Sequence, residues 1–355
     1  MRLTVVVGSA ACLIALAAVA LFVVTTSETG GVAPAPHLTS PALPPHSTSA
    51  PWWDTQTSAE LYGTGVWVNP SSQPAVELKS LRASGHTAEA TAIATIASQP
   101  IAVWLSDSWT NSELVQRLTT DVAAAEAAHR TPVFVSYAIP DRDCGGYSAG
   151  GYSDTHYRLW SDLIAKTLSG HHAVLLMEPD SLAMLGKPQC STIVGDRLAL
   201  VNTVTRYYAE SGVAVYLDAG NSNWQSASVM AGRLSNAGIV WARGFFTNVS
   251  NFKSQSAELK YATELSGMLG GKHFVIDVSR DGNGAQPSWC NPPGAALGPN
   301  PVIADGKTAL DALLWVKTPG SSDGSCNGDP SAGRWFEKYA LSLVAHRHTT
   351  VATLP

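Results

Sequence analysis

From residue 57 onward, short apolar runs alternate with longer stretches whose apolar residues recur every three or four positions. The runs fall at 101–105, 133–139, 173–177, 213–217, 243–247, 273–278 and 312–316, and the helical patterning is clearest at 114–128, 157–168, 198–210 and 257–269. Runs this uniformly apolar suit strands covered on both faces, and starts roughly 30 to 40 residues apart leave room for crossover helices. Seven such units predict an α/β fold, a seven-stranded parallel β/α barrel forming a single domain over residues 57–355. An open doubly wound sheet is the competing architecture.

The pattern upstream is different. Residues 3–24 form one apolar stretch behind Arg2, long enough to span a bilayer and equally readable as a signal peptide with Ala18-Val19-Ala20 at the cleavage point. No Lys or Arg follows until Lys79, which predicts that everything beyond the stretch is exported, to be secreted or tethered outside the cytoplasmic membrane. Cys12 reads as a small hydrophobe within it. Residues 25–56 hold six prolines, many Ser and Thr, and only Glu28 and Asp54 as charges, which predicts a semi-rigid linker. Trp52 and Trp53 at its end are expected to tuck against the domain that follows.

The polar residues concentrate where the apolar runs end. Asp141 and Asp143 follow the second run, Glu178 and Asp180 the third, Asp218 the fourth, Asn248 the fifth, Asp277 and Asp281 the sixth, and Lys317 and Asp323 the last. In a parallel barrel these ends open on one face, where active sites of such folds lie. Four cysteines remain in the domain, and two disulfides allow three connectivities. Pairing the cysteines of neighbouring loops gives Cys144–Cys190 and Cys290–Cys326, without the close pairs of a zinc site.

Composition narrows the chemistry. Charged residues make up 14% of the chain, against about 25% in an average globular protein. A net charge of −5 with 22 basic residues gives no nucleic-acid footprint. Asp277, Ser279 and Asp281 resemble the start of a calcium loop, but its twelfth position is Ser288 instead of Glu, so no metal or other cofactor is expected. Trp104, Tyr137, Trp224 and Trp289 lie at the same barrel end as the acids. Flat rings beside paired carboxylates suit a pyranose, which has an apolar face and a polar rim.

Three segments then become specific: Ser-Tyr-Ala-Ile-Pro-Asp-Arg-Asp-Cys at 136–144, Met-Glu-Pro-Asp-Ser-Leu at 177–182 and Tyr-Leu-Asp-Ala-Gly at 216–220. With Thr-Asn-Val-Ser-Asn at 247–251, the Gly-rich 276–284 segment, Trp289-Cys290, and Leu-Trp-Val-Lys at 314–317 leading to Asp323, they resemble glycoside hydrolase family 6, the inverting cellulases, which implies a distorted seven-stranded α/β barrel in keeping with the strand count. The resemblance implies an endo-β-1,4-glucanase acting on a β-1,4-glucan chain, with a cellobiohydrolase-type exo mode, another β-glucan as substrate, or a catalytically weak glucan-binding protein as alternatives. Asp180 matches the general acid and Asp143 the carboxylate that raises its pKa and helps activate water. Asp218 matches an acid beside the general acid, and Asp323 a second candidate base partnered by Lys317. Tyr137 matches a tyrosine that crowds the sugar at the cleavage point. Trp104, Trp224 and Trp289 match stacking residues, and Asn248 and Lys317 substrate ligands. Three positions depart from the pattern: Ser321 stands where Glu is usual, Asn221 where His is usual, and Ala149, beside Ser148, where a water-holding Ser is usual. Only 21 residues separate Cys290 from Ala312, too few for a tunnel roof, which favours an open cleft. The chain is expected to work as a monomer.

Overall fold

The computed structural model describes residues 52–348 and Leu354. The apolar stretch at 3–24 and the linker as far as residue 51 lie outside the described residues. A 3-10 turn at Trp52–Thr55 precedes α1 (Ser58–Tyr62), α2 (Gln73–Ser84) and α3 (Thr87–Ala97). Strands and helices then alternate: β1 (Val103–Leu105), α4 (Asn111–Ala127), β2 (Val133–Ser136), α5 (Asp154–Leu168), β3 (Val174–Met177), α6 (Val194–Glu210) and β4 (Ala214–Asp218). They continue with α7 (Ala227–Asn236), β5 (Gly244–Thr247), α8 (Gln255–Met268), β6 (His273–Asp277), β7 (Val302–Ile303), β8 (Leu310–Leu314) and α9 (Glu337–Ala345). Local chemistry sets the helix starts. Thr110 and Glu113 form a reciprocal capping box on α4, and Ser153, Ser226 and Ser254 cap α5, α7 and α8 by accepting from backbone N–H groups that have no helical partner.

Seven strands run parallel in the order β1-β2-β3-β4-β5-β6-β8, and the short β7 lies antiparallel on the far edge of β8. This adds one strand to the expected seven. β2 to β5 are buried along their whole length, and alternate residues serve two separate cores, as the period of two in a strand demands. Phe134, Leu175, Leu217, Phe245 and Ile276 face the helices. Val135, Leu176, Tyr216, Phe246 and Leu314 face inward, in one cluster that draws on strands from both ends of the sheet order. That shared interior is a barrel's and excludes the open sheet. Closure is incomplete. β7 occupies the edge of β8 at Ala312 and Leu313, so β1 reaches the last strand only beyond it, through an Ile101–Trp315 bridge and the Ala102 N–H donating to the Trp315 carbonyl at 3.0 Å.

The barrel base is plugged from upstream. Trp53 is fully buried with Leu61 and Tyr62 in the inner core, and the carboxylate of Asp311 accepts from Ser58 Oγ at 2.8 Å, Tyr216 Oη at 2.5 Å and both ends of the Arg243 guanidinium at 2.9 and 3.0 Å. Arg243 also donates to the Trp53 carbonyl at 2.6 Å. The packed domain therefore takes in residues from Trp52, where the sequence pattern places its start at 57.

Candidate active site

The C-terminal strand ends open on a cleft of about 1090 Å³. Trp104, Tyr137, Asp143, Asp180, Trp224, Trp289, Lys317 and Asp323 all line it, as do the divergent positions Ala149, Asn221 and Ser321. Two expected residues do not. Asn248 is fully buried; its amide donates to the Lys253 and Asp277 carbonyls and its oxygen accepts from the Lys253 N–H, so it shapes the loop after β5 and cannot meet a substrate. Asp218 lies beneath the floor. Its carboxylate accepts from the N–H groups of Leu182, Ala183 and Gly220 at 2.9 to 3.0 Å, which fixes the turn that follows Asp180.

Asp180 lies three residues beyond β3, in a left-handed backbone conformation (φ 71°). Burial, and then the neighbouring carboxylates of Asp218 and Asp143, push its pKa up to about 8, against the opposing pull of Lys187 and Lys317. It therefore carries its proton at neutral pH, the state a proton donor needs. Asp143 sits in the loop after β2. Its Oδ2 accepts from the Ser148 N–H at 2.8 Å, which leaves the rest of the carboxylate free toward the cleft. That loop returns over the end of β2 at Gly151, where a Cβ would lie 1.9 Å from the Ile139 carbonyl oxygen and φ is +94°, so only glycine fits. Tyr137 stands between the two acids and Trp104. Its ring meets Trp104 edge-on at 5.4 Å, and burial together with Asp180 and Asp143 raises its pKa well above the usual phenol value. Its hydroxyl remains a donor throughout the working range.

Asp323 is held differently. Lys317 Nζ lies 3.1 Å from Oδ1, while Oδ2 accepts from Arg280 Nη1 at 2.8 Å and the Asn291 N–H at 3.1 Å. Burial alone would raise its pKa, but Arg280 and Lys317 outweigh that and hold it below the ordinary carboxylate value. Lys317 is in turn fixed through its own N–H by Asp277, whose two oxygens accept from Ser250, Ser279, Val316 and Lys317. Asp277 is thus a backbone anchor, and no group of three or more metal-ligating side chains with metal-binding geometry occurs among the described residues.

The spacing between Asp143 and Asp180 is set by residues the sequence did not single out as functional. Glu178, fully buried, accepts from the Ala138 and Ile139 N–H groups at 3.0 to 3.1 Å and from Tyr157 Oη at 3.1 Å, which ties the loop after β3 to the loop after β2. Arg197 on α6 bridges the same loops, donating to the Pro140, Asp141 and Ser181 carbonyls. The Cys144–Cys190 disulfide is a third tie, and Cys290–Cys326 joins the loops after β6 and β8; both pairings are those expected. Arg280 and Asn291 stood inside or beside conspicuous motifs, but nothing in a linear pattern shows that they converge on Asp323.

Known proteins resemble this chain in sequence and in fold. The model of "Glycosyl hydrolases family 6" matches residues 61–347. Endoglucanase A of Cellulomonas fimi is 41% identical over 282 residues, 79% of this chain and 61% of that protein, so the chain spans less than two thirds of that relative. A 1,4-beta-D-glucan cellobiohydrolase C of Emericella nidulans is 30% identical over 82% of this chain and 78% of its own length. Among solved structures, the endoglucanase Cel6 of Mycobacterium tuberculosis, in complex with methyl-cellobiosyl-4-deoxy-4-thio-beta-D-cellobioside, is 38% identical with a TM-score of 0.71, covering 79% of this chain and 96% of that one. By sequence and by fold, this chain belongs to glycosyl hydrolases family 6.

Proposed function

We propose that the chain is an exported endo-β-1,4-glucanase that hydrolyses internal bonds of a β-1,4-glucan with inversion, working as a monomer. The observation that carries the reading is the placement of Asp180 and Asp143 in one cleft, where burial and the carboxylates of Asp218 and Asp143 push the Asp180 pKa up to about 8. Asp180 donates its proton to the glycosidic oxygen as the bond breaks. A water on the opposite face of the sugar attacks the anomeric carbon and gives up its proton toward Asp143, and the room for that water is what separates inverting from retaining pairs. Tyr137 crowds the sugar at this point. Trp104, Trp224 and Trp289 offer stacking faces along the cleft, and Lys317 a polar contact beside them. Asp323 assists by holding Lys317. With both oxygens engaged and a lowered pKa it is a poor proton acceptor, so the base role falls to Asp143.

The loops support endo action. The chain between Cys290 and β8 is tied to the barrel wall: β7 pairs with β8, Leu297 donates to the Leu343 carbonyl, and the Trp315 indole donates to Pro299. None of it roofs the cleft. Tyr147 meets Trp289 across it at 5.7 Å, but both rings are more than half exposed, so the contact opens without unpacking a core. The relative from Cellulomonas fimi, named an endoglucanase, favours the same mode.

The test is hydrolysis of a soluble β-1,4-glucan, followed by reducing-end release, viscosity and the anomeric configuration of the first product. Rapid loss of viscosity with inverted product is expected, and Asp180→Ala should lose activity by about 10²- to 10⁴-fold. Retained configuration, or full activity in that variant, overturns the reading.

A further inference from the structure

Two buried carboxyls that the proposed chemistry does not use meet at the first turn of α8. Glu258, in that turn, is fully buried, and its Oε1 accepts from the Ser222 N–H at 2.8 Å. Burial raises its pKa and outweighs the opposing pull of the Ser222 N–H, the Ser222 and Thr247 hydroxyls and the Lys253 ammonium. Three residues on, and so on the same helix face, Tyr261 Oη donates to the Ala219 carbonyl at 3.1 Å. Both bonds fall on the 219–224 loop after β4, whose Asn221, Asn223 and Trp224 line the cleft.

Asp281 reaches the same turn from the loop after β6. It is 5% exposed, and the N–H of Gln255, the first residue of α8, donates to its carboxyl. Its Oδ1 has no hydrogen-bond partner among the described residues and packs on the backbone of Gly298, where a Cβ would lie 2.0 Å from it. The returning chain is held there by the Asp281–Ala296 bridge and by the Gly298 N–H, which donates to the Ser279 carbonyl at 3.2 Å. Asp281 therefore closes the root of the 282–298 loop, whose outer part carries Trp289 and is tied through Cys290 to Cys326. Burial, then Asp277 on β6 and Glu258 on α8, push its pKa up to about 8, so at neutral pH it is an uncharged group that an amide can imitate.

We propose that Glu258 and Asp281 are positioning residues: they make the first turn of α8 a shared anchor for the two loops that present Trp224 and Trp289, and so act on glucan binding and not on bond cleavage. The proposal rests on the glucanase reading above. Neither residue lines the cleft, so neither meets a substrate. Asp143 and Asp180 are held by a different set of ties, made by Glu178, Arg197 and the Cys144–Cys190 disulfide. Loosening the turn of α8 therefore shifts the stacking rings and leaves the two acids in register.

The test compares Glu258→Met and Asp281→Ala, which remove the acceptors, with Glu258→Gln and Asp281→Asn, which keep them and stay neutral. On a soluble β-1,4-glucan the first pair is expected to raise KM about three- to tenfold with kcat within about twofold, and the second pair to restore most of the loss. Amide hydrogen exchange, read without substrate, should quicken in both 219–224 and 282–298 in Glu258→Met and in Asp281→Ala, although each side chain bonds to only one of these loops. Where those two variants do not fold, Tyr261→Phe, which removes one hydrogen bond to the 219–224 loop, is still expected to raise KM about twofold with kcat kept and to quicken exchange there. Unchanged KM, a loss confined to kcat, amide variants that do not rescue, or exchange that quickens in one loop alone overturns the proposal. A wild-type chain that cleaves no β-1,4-glucan overturns the glucanase reading instead, and the exchange measurement still decides whether the two loops share an anchor.

Discussion

Arg280 holds Asp323: its guanidinium, fully buried, donates to Oδ2 at 2.8 Å and lies over the ring of Phe252 at 4.3 Å. With Lys317 on the other oxygen, this makes a buried cation–anion–cation cluster at the wall of the cleft that Asp143 and Asp180 also line. Removing the anion leaves two buried cations facing each other. Asp323→Ala is therefore expected to cost about 3–5 kcal/mol in unfolding free energy, read by urea titration. Because its folded pKa is lowered, the stability Asp323 contributes is present above the ordinary carboxylate value and lost as pH falls through the lower folded one. The acid limb of the pH–rate profile should stay in place in any Asp323 variant that folds. A shift of that limb would make Asp323 the base.

The basic limb should belong to Asp180. With its pKa pushed up to about 8, kcat/KM falls as the pH passes that value and the proton is lost. Asp218 contributes to the rise, so Asp218→Asn is expected to move the limb downward even though Asp218 never touches the cleft. The sign for stability is the reverse of Asp323's. A carboxyl with a raised folded pKa stabilises most below its unfolded value near 4, and that contribution drains away as pH climbs to about 8. Substrates with activated leaving groups, which need no proton, should be spared in Asp180→Ala.

Arg197 is expected to act on rate more than on binding. It joins carbonyls in the two loops that carry Asp143 and Asp180, and a small misplacement of paired groups weighs on the chemical step. Arg197→Met should lower kcat on the order of tenfold with KM changed by less than about twofold, and Arg197→Lys should recover part of the loss. A parallel loss of stability with kcat intact would assign Arg197 to packing alone.

Much of the barrel and its rim was legible because strands buried on both faces leave a plain record: unbroken apolar runs whose polar residues appear only at the ends. Asp143, Asp180, Trp104 and Trp224 were readable on that ground, and so was the pairing of cysteines in neighbouring loops. What escaped is what a linear pattern does not encode. α2, α3 and α7 are short and mixed in polarity, and β7 is two residues long, so none stands out. Asn248 was expected as a substrate ligand from the resemblance of the 247–251 segment, but its side chain is consumed by closing its own loop. Arg280, Asn291, Glu178 and Arg197 come from scattered positions, and their role exists only once the loops are folded against each other.

The incomplete closure of the barrel gives Trp104 a structural duty beside its place in the cleft. Trp104 belongs to β1, and its indole donates to the Val316 carbonyl at 2.8 Å, across the join that β7 keeps from zipping further. Under the proposed function, a sugar on Trp104 would lie over the place where the first and last strands meet through the Ile101–Trp315 bridge. On the same reading, loading that ring bears on the join between the first and last strands, so Trp104 would answer for wall and guest together.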